Sequence, residues 1–253
     1  MARASVHILT WHSVSNDAGP TAIGPSVFEE QIAAIAESDA ALWTFDDYLA
    51  WRDNPEGAPN AVIVTFDDAF EDYIASAHGV LMRRNMRATM FVPAAHVGRK
   101  AQWDGADGRM IMDWPDIAAA ARDGLIVGSH GSMHVDLTRL SVARLREEID
   151  RAADLIAERI GAPAAYFAAP FGRTNRQVEA AASRWHRAAA GVSMAIAGAR
   201  SPLYDLPRID MHYYRNARRL EALLNGERAY FTARRAARGA RFYASSLLGA
   251  PPT

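Results

Sequence analysis

The sequence predicts an α/β fold built on parallel strands, and three observations carry that prediction. Strand-like and helix-like segments alternate along most of the chain. The strand segments are apolar on both faces, as "NAVIVTF" at 60–66 shows, and that is the signature of strands buried on both sides. The connections are long enough to hold a helix, which parallel neighbours require. Six or seven such units suggest a barrel rather than an open sheet, although periodicity does not choose between the two.

The elements follow in order. "VHILT" (6–10) is an apolar strand. Residues 25–38 form a helix, with Ser26 and Glu29 spaced as a capping box. A second helix begins at Thr44, with nothing strand-like leading into it. After the strand at 60–66, residues 70–85 carry Phe70, Tyr73, Ile74 and Leu81 at helical spacing. "ATMFV" (88–92) is a strand, and residues 99–112, rich in Gly and Asp, form a loop. A helix from Trp114 has Asp113 as its cap and Gly124 as its stop. "LIVGSH" (125–130) is a strand, and an amphipathic helix runs between Ser141 and Gly161. "AAYFAAPFG" (164–172) is a strand, followed by a helix near 177–184, a short strand near 192–196 and the segment "LPRIDM". The main domain is placed at 1–215 and an Arg-rich helical extension at 216–253, on or beside the barrel.

Half of the 253 residues are apolar and 23% are charged, a composition that suits one large globular domain or two small ones. With no cysteine, disulfides and thiolate ligands are excluded, and a metal has to be held by His, Asp or Glu. The start of the chain does not resemble a signal peptide, since His7 and Trp11–His12 interrupt its apolar run, and no segment reaches the length of a membrane span. A cytoplasmic location is expected. The net charge of −1 is unevenly spread: from Arg215 onward there are eight arginines against Glu221 and Glu227. Such a tail is either a solvated helix face or a surface for an anionic partner, such as the inner face of a membrane. No pattern of a nucleic-acid module is present.

The tetrapeptide T-F-D-D occurs twice, at 44–47 and 65–68. In the first copy Thr44 and Asp47 have the spacing of a helix N-cap with an acid in the first turn. The second copy ends a buried strand, so Asp67 and Asp68 stand at its C-terminal end, where parallel α/β folds gather their chemistry. Two further strand ends bear polar motifs. "GSHGSMH" places His130 and His134 four apart, one helical turn, so both imidazoles can converge. Two His and one carboxylate, from Asp67 or Asp68, form a normal ligand set for a catalytic zinc. Neighbours at a strand end point in different directions, so one acid can bind metal while the other faces its water. "APFG" adds a tight turn whose backbone N–H can face a developing oxyanion. Together these features describe metal-assisted hydrolysis of an amide or ester.

These motifs resemble those of the polysaccharide deacetylase family, also called the NodB-homology family or carbohydrate esterase family 4. Its T-F-D-D motif is matched by residues 65–68. Its H-S/T-x-x-H motif is matched by residues 130–134, with Gly131 at the hydroxyl position, and its R-x-P-F/Y motif is matched in part by residues 168–171. The opening "VHILTWHSVS" is similar to the start of many members, and the likeness covers roughly residues 5–215. It implies a distorted (β/α)7 barrel that removes N-acetyl, sometimes O-acetyl, groups from sugars. It implies Asp67 as general base, Asp68, His130 and His134 as metal ligands, and the Phe171 backbone N–H in the oxyanion hole. Zinc is the favoured metal, with cobalt, nickel or manganese as alternatives.

Two departures bear on the chemistry. The Arg that braces the base in the family is Ala168 here, and Arg208 is the expected replacement. The late His that protonates the leaving amine has His212 as its candidate. His12, Pro170 and Trp11 are expected around the substrate, and Trp11, Trp103 and Trp114 are considered as a sugar-stacking floor. His7, His78, His96 and His186 are expected to be structural or surface residues. Two other readings share the fold: hydrolysis of a non-sugar amide such as a cyclic ureide or imide, or a glycan-binding barrel without catalysis.

Overall fold

The structure, a computed structural model, describes residues 5–19, 21–57, 59–104 and 108–247. Eight strands form one sheet: β1 (Ser5–Trp11), β2 (Ala41–Leu42), β3 (Asn60–Asp67), β4 (Ala88–Val92), β5 (Ile126–Ser129), β6 (Tyr166–Ala168), β7 (Ala188–Ala190) and β8 (Ile209–Asp210). Their order is β7-β6-β5-β4-β3-β1-β8, with β2 paired to β3 beside that path. All the pairings between these strands are parallel. The two ends of the order meet, because Ala190 bridges Leu206 and the Arg208 N–H donates to the Ser193 carbonyl, just before β8. The sheet therefore curls into the predicted barrel.

The double burial of the strands divides their side chains between two cores. Val62, Val64 and Phe66 of β3, with Leu9 and Trp11 of β1, pack outward against helix α1 (Pro25–Glu37) and its neighbours. Val6, Ile8, Ala61 and Ile63 face inward and meet Phe91, Tyr166, Ala188 and Leu206 in the barrel interior. Helix α2 (Phe45–Asp53) adds Phe45 to that interior, 4.9 Å from the Tyr166 ring. Thr44 caps α2 with a full capping box, as the first T-F-D-D requires. The next helix begins as a π-helical turn at Tyr73–His78 and continues as α3 (Gly79–Arg83). Helices α4 (Trp114–Arg122), capped by Asp113, α5 (Val142–Ile160), held between Ser141 and a left-handed Gly161, and α6 (Arg176–Ala182) complete the outer layer.

Several expectations are corrected. Helix α1 has no capping box: Gly24 is the cap and Pro25 opens the helix, with no side-chain cap bond, so Ser26 already lies inside it. The two-residue β2 does lead into the first T-F-D-D. The seventh strand is Ala188–Ala190, not 192–196. Just past it a glycine is demanded by the returning chain: a Cβ on Gly191 would lie 1.8 Å from Asp205 Oδ1. The loop at 99–112 is tied by a bridge between Lys100 and Met110, its residues 105–107 lying outside the described residues.

Past residue 215, helix α7 (Ala217–Leu224) buries Leu220, Leu223 and Leu224 in the outer core, and α8 (Ala229–Leu247) adds Phe231. The start of the expected extension is thus part of the main core, and residues 248–253 lie outside the described residues. Several tail arginines turn inward. Arg228 bonds to Ser5 and the Leu223 carbonyl, Arg215 to the Ala22 carbonyl, and Arg234 lies over the Tyr213 ring, which leaves fewer of them for an outside surface. Among the described residues no helix is long and apolar enough to cross a membrane.

Candidate active site

Asp67 is the last residue of β3, and it continues the inward row of Ala61, Ile63 and Thr65. That row brings its carboxylate into the barrel mouth, where Arg208 meets it. Arg208 Nη1 and Nη2 donate to Oδ1 and Oδ2, each at 2.7 Å. Both residues are buried, Arg208 at 1% exposure. Arg208 is itself fixed by the Gly191 carbonyl (2.8 Å), by Thr10 Oγ1 (3.1 Å) and by the Phe91 ring beneath its guanidinium. Burial alone pushes Asp67 up, but the Arg208 charge and its two bonds outweigh that and hold the carboxyl well below its ordinary range. Asp67 is therefore a permanent carboxylate at neutral pH.

Asp68 faces a different set of partners. Its Oδ1 lies 3.6 Å from His130 Nε2 and 3.1 Å from His134 Nε2, and one ligand atom from each residue falls within 4.8 Å of the other two. His130 Nδ1 is 2.7 Å from the Ala168 carbonyl, which can only accept, so Nδ1 carries the hydrogen and Nε2 presents a lone pair. Burial holds His130 down to about 4, against the pull of the Asp67 charge, and the ring is neutral. Asp68 Oδ1 is buried and, among the described residues, faces no group other than these two imidazole nitrogens. A buried carboxylate oxygen facing two imidazole nitrogens, one of them the bare Nε2 of His130, is an arrangement that a cation between them relieves. One carboxylate and two His, the donor set Asp68, His130 and His134, fit a divalent metal of the zinc type, with positions to spare.

The convergence of His130 and His134 does not come from a helical turn, since residues 130–134 are not helical. It comes from left-handed backbone at Gly131 (φ 74°) and His134 (φ 48°). Gly131, the departure from the expected hydroxyl residue, thus occupies a conformation that favours glycine.

The metal-type cluster and the Asp67–Arg208 pair open into one cavity of about 350 Å³. His12 lines it, with Nε2 at 3.9 Å from Asp67 Oδ2. The neighbouring Ser13 hydroxyl and Val14 N–H both bond to Asp72, which anchors the chain on which His12 sits. Phe171 also lines the cavity, half exposed, in a left-handed conformation (φ 58°) and 4.7 Å from the His134 ring.

The other expected residues lie elsewhere. His212 is absent from the cavity wall. Its backbone N–H bonds to Asp210, and it is Asp210 that lines the cavity. Pro170 packs near Gly131 behind the wall. Trp11 is 1% exposed, stacked against Phe66 with its Nε1 bonded to Gln31, and has no face for a ligand. Trp114 packs on the outer core. Trp103 alone of the three tryptophans reaches the site, stacked on His134 at 3.7 Å and 16°. The loop at 99–112 also brings Asp104, which pairs with Arg109 at 2.9 Å. Asp104, Asp210 and, from α8, Arg238 line the cavity without any motif that marked them in sequence.

Known proteins share this fold and part of this sequence. The chain is 22% identical over 182 residues to the Bacillus subtilis protein YxkH, covering 72% of this chain and 62% of that protein. It is 28% identical over 112 residues to a chitin deacetylase of Arthroderma benhamiae, covering 44% and 27%. It thus spans less than two thirds of the length of these relatives. The fold is similar to that of IcaB from Ammonifex degensii (TM-score 0.72, 22% identity, 89% of this chain and 99% of that one). It is also similar to that of the Streptococcus pyogenes deacetylase PplD (TM-score 0.71, 19% identity, 83% and 93%). The profile of the family described as polysaccharide deacetylase matches residues 54–189, more than half of the chain and the stretch that holds Asp67, Asp68, His130 and His134. By that match the chain belongs to the polysaccharide deacetylase family.

Proposed function

We propose that this protein is a metal-dependent hydrolase that removes acetyl groups, N-acetyl foremost, from a saccharide or glycan precursor. The observation that carries the reading is the division of labour between adjacent acids. Asp68 sits with two imidazoles, while Asp67 sits with an arginine in the same cavity. Asp68, His130 and His134 would hold the metal. Zinc suits this donor set best, and cobalt, nickel and manganese accept similar ones. When bound, such a metal supplies Lewis acidity, acidifying water and polarising the acetyl carbonyl.

The remaining steps fall to the chain itself. Asp67, kept ionised and oriented by Arg208, accepts the proton of the attacking water. The backbone N–H of Phe171 is the proposed donor to the developing oxyanion. His12 is better placed than His212 to protonate the leaving amine, because it lines the cavity close to Asp67. The Asp67–Arg208 clamp favours this reading over a barrel that only binds glycan, which has no use for a braced base.

The test compares Asp68→Asn with Asp67→Asn by metal content and by acetate release from a panel of acetylated saccharides. Asp68→Asn should lose metal, with activity partly restored by added metal. Asp67→Asn should keep its metal and lose about 10²–10⁴ in rate, the worth of a positioned base, without rescue. Normal deacetylation by both variants, or no acetate release by the metal-loaded wild type from any saccharide, would overturn the proposal.

A further inference from the structure

Helix α8 carries a feature that the hydrolytic machinery does not use. Tyr230, Arg234 and Arg238 are spaced four apart and so share one face of the helix. The first two dock that face on Tyr213: the Tyr230 hydroxyl donates to the Tyr213 carbonyl at 2.7 Å, and the Arg234 guanidinium lies 4.5 Å from the Tyr213 ring centre. Phe231, 6% exposed, anchors the same turn in the core. One turn further on, Arg238 reaches the wall of the cavity that holds Asp67 and Asp68.

Two guanidinium groups line that cavity, and they are not equivalent. Arg208 spends both terminal nitrogens on Asp67. Arg238, half-buried, makes no hydrogen bond or ion pair among the described residues. The acids in the wall are otherwise engaged: Asp104 with Arg109, Asp210 with the His212 N–H, and Asp68 with the two imidazoles. A partly desolvated guanidinium without a counter-ion, held over a reaction centre by its own helix, is built to receive an anion. Its planar fork matches a carboxylate or phosphate bidentately.

We propose that Arg238 is a specificity-determining residue that binds an anionic group of the substrate, so that the sugar whose acetyl group is removed carries a phosphate or a carboxylate. The identity of the reaction rests on the deacetylase reading; the preference for an anion rests on Arg238 alone.

The experiment uses the full chain loaded with zinc. Acetate release is followed from N-acetylglucosamine, its 6-phosphate and N-acetylglucosaminuronic acid, for wild type, Arg238→Gln and Arg238→Lys. Wild type should favour one or both charged sugars over the neutral one, and the pair of charged sugars separates phosphate from carboxylate. Arg238→Gln should lose roughly ten- to hundredfold of that preference, the worth of a charge-assisted contact, with the loss falling on KM; Arg238→Lys should keep part of it. Equal rates on charged and neutral sugars, or the same proportional loss on all three, would overturn the proposal. Calorimetric binding of the same sugars separates the two claims. If no sugar is hydrolysed, tighter binding of a charged sugar that is weakened in Arg238→Gln still supports the role of Arg238, and its absence refutes it.

Discussion

The Arg208–Asp67 pair offers the sharpest perturbation. Arg208→Met keeps much of the side chain's volume above Phe91 and removes only the charge and its bonds. Two contacts of 2.7 Å disappear from a site where Arg208 is 1% and Asp67 4% exposed. Breaking a buried pair from one side costs about 3–5 kcal/mol, because the surviving charge is left without compensation. Asp67 can relieve that cost by taking a proton. Burial already pushes its pKa up, and Arg208 provides the main force in the other direction.

In the wild type the depressed Asp67 contributes stability at neutral pH, which is lost as the pH falls through its folded value. In Arg208→Met the folded value lies above the unfolded one, and the sign reverses: the variant should gain relative stability as the pH falls. The same shift moves the acid limb of the pH profile of kcat/KM upward, and turnover at neutral pH should drop by about 10²–10⁴. The amount of added metal retained should stay near wild type, since none of Asp68, His130 and His134 bonds to Arg208. Arg208→Lys, which offers a charge without the fork, should fall between the two and gives a reading if the Met variant folds poorly. An unmoved acid limb with turnover within tenfold of wild type would show that Asp67 is not the base or that Arg208 does not tune it.

Three further outcomes are expected. Asp46→Asn and Asp47→Asn alter an exposed ion pair with Arg187, the surroundings of the Tyr166 hydroxyl and the cap of α2, all away from the cavity, so each should cost about 1 kcal/mol or less and leave turnover nearly intact; a hundredfold loss of activity would undo the separation of the two T-F-D-D copies. Gly172→Ala should lower the melting temperature and reduce kcat without adding a polar group, because its Cβ would lie 2.0 Å from Val192 Cγ1 beside Phe171; overpacking of this kind costs about 1–3 kcal/mol, and an unchanged melt and rate would refute it. Burial, aided by the Arg228 charge, holds His7 down to about 4 from 6.5, so the unfolded chain binds its proton first, and stability should fall as pH drops between those values by at most about 3 kcal/mol. His7→Gln should flatten that slope in denaturant titrations, and parallel curves for the two proteins would refute the assignment.

The strand ends were legible because parallel burial leaves an unmistakable run of apolar residues, and the polar residue that stops the run is the one that reaches the barrel mouth. Asp67 and His130 are such residues. Arg208 could be named from the missing motif arginine, since a buried carboxylate at a strand end needs a cation from another strand end. Asp104 and Arg238 were not legible as site residues, and Trp103 was named only alongside Trp11 and Trp114, which lie elsewhere. Trp103, Asp104 and Arg238 reach the cavity from an irregular loop and from a helix on the outer layer, where no periodicity reports which side chain turns inward. Trp11 misled for the opposite reason: it sits next to His12 in sequence, but a strand sends neighbours to opposite faces, so Trp11 enters the outer core while His12 meets the cavity. The short β7 was hidden because three buried alanines carry little β signal.

The adjacency of Asp67 and Asp68 would be of little use on a regular strand, where the second carboxylate would turn into the outer core. The backbone prevents this. Asp68 and Ala69 are left-handed, with φ of 71° and 55°, as are His134 and Phe171. Of the five left-handed residues other than glycine among the described residues, four are therefore at the site or next to it, and Asn85 is the exception. Such conformations cost of order 1–3 kcal/mol each outside glycine and persist only where the surroundings enforce them. Here the enforcing contacts are visible: the Ala69 carbonyl accepts from the Met112 N–H, the Gly131 carbonyl from the Ala94 N–H, and the Met133 N–H donates to Glu148. Strain at Asp68 turns its carboxylate to the imidazoles while Asp67 keeps its strand direction toward Arg208. Two neighbouring acids thereby acquire different partners, which lets one position a metal while the other stays free to take a proton.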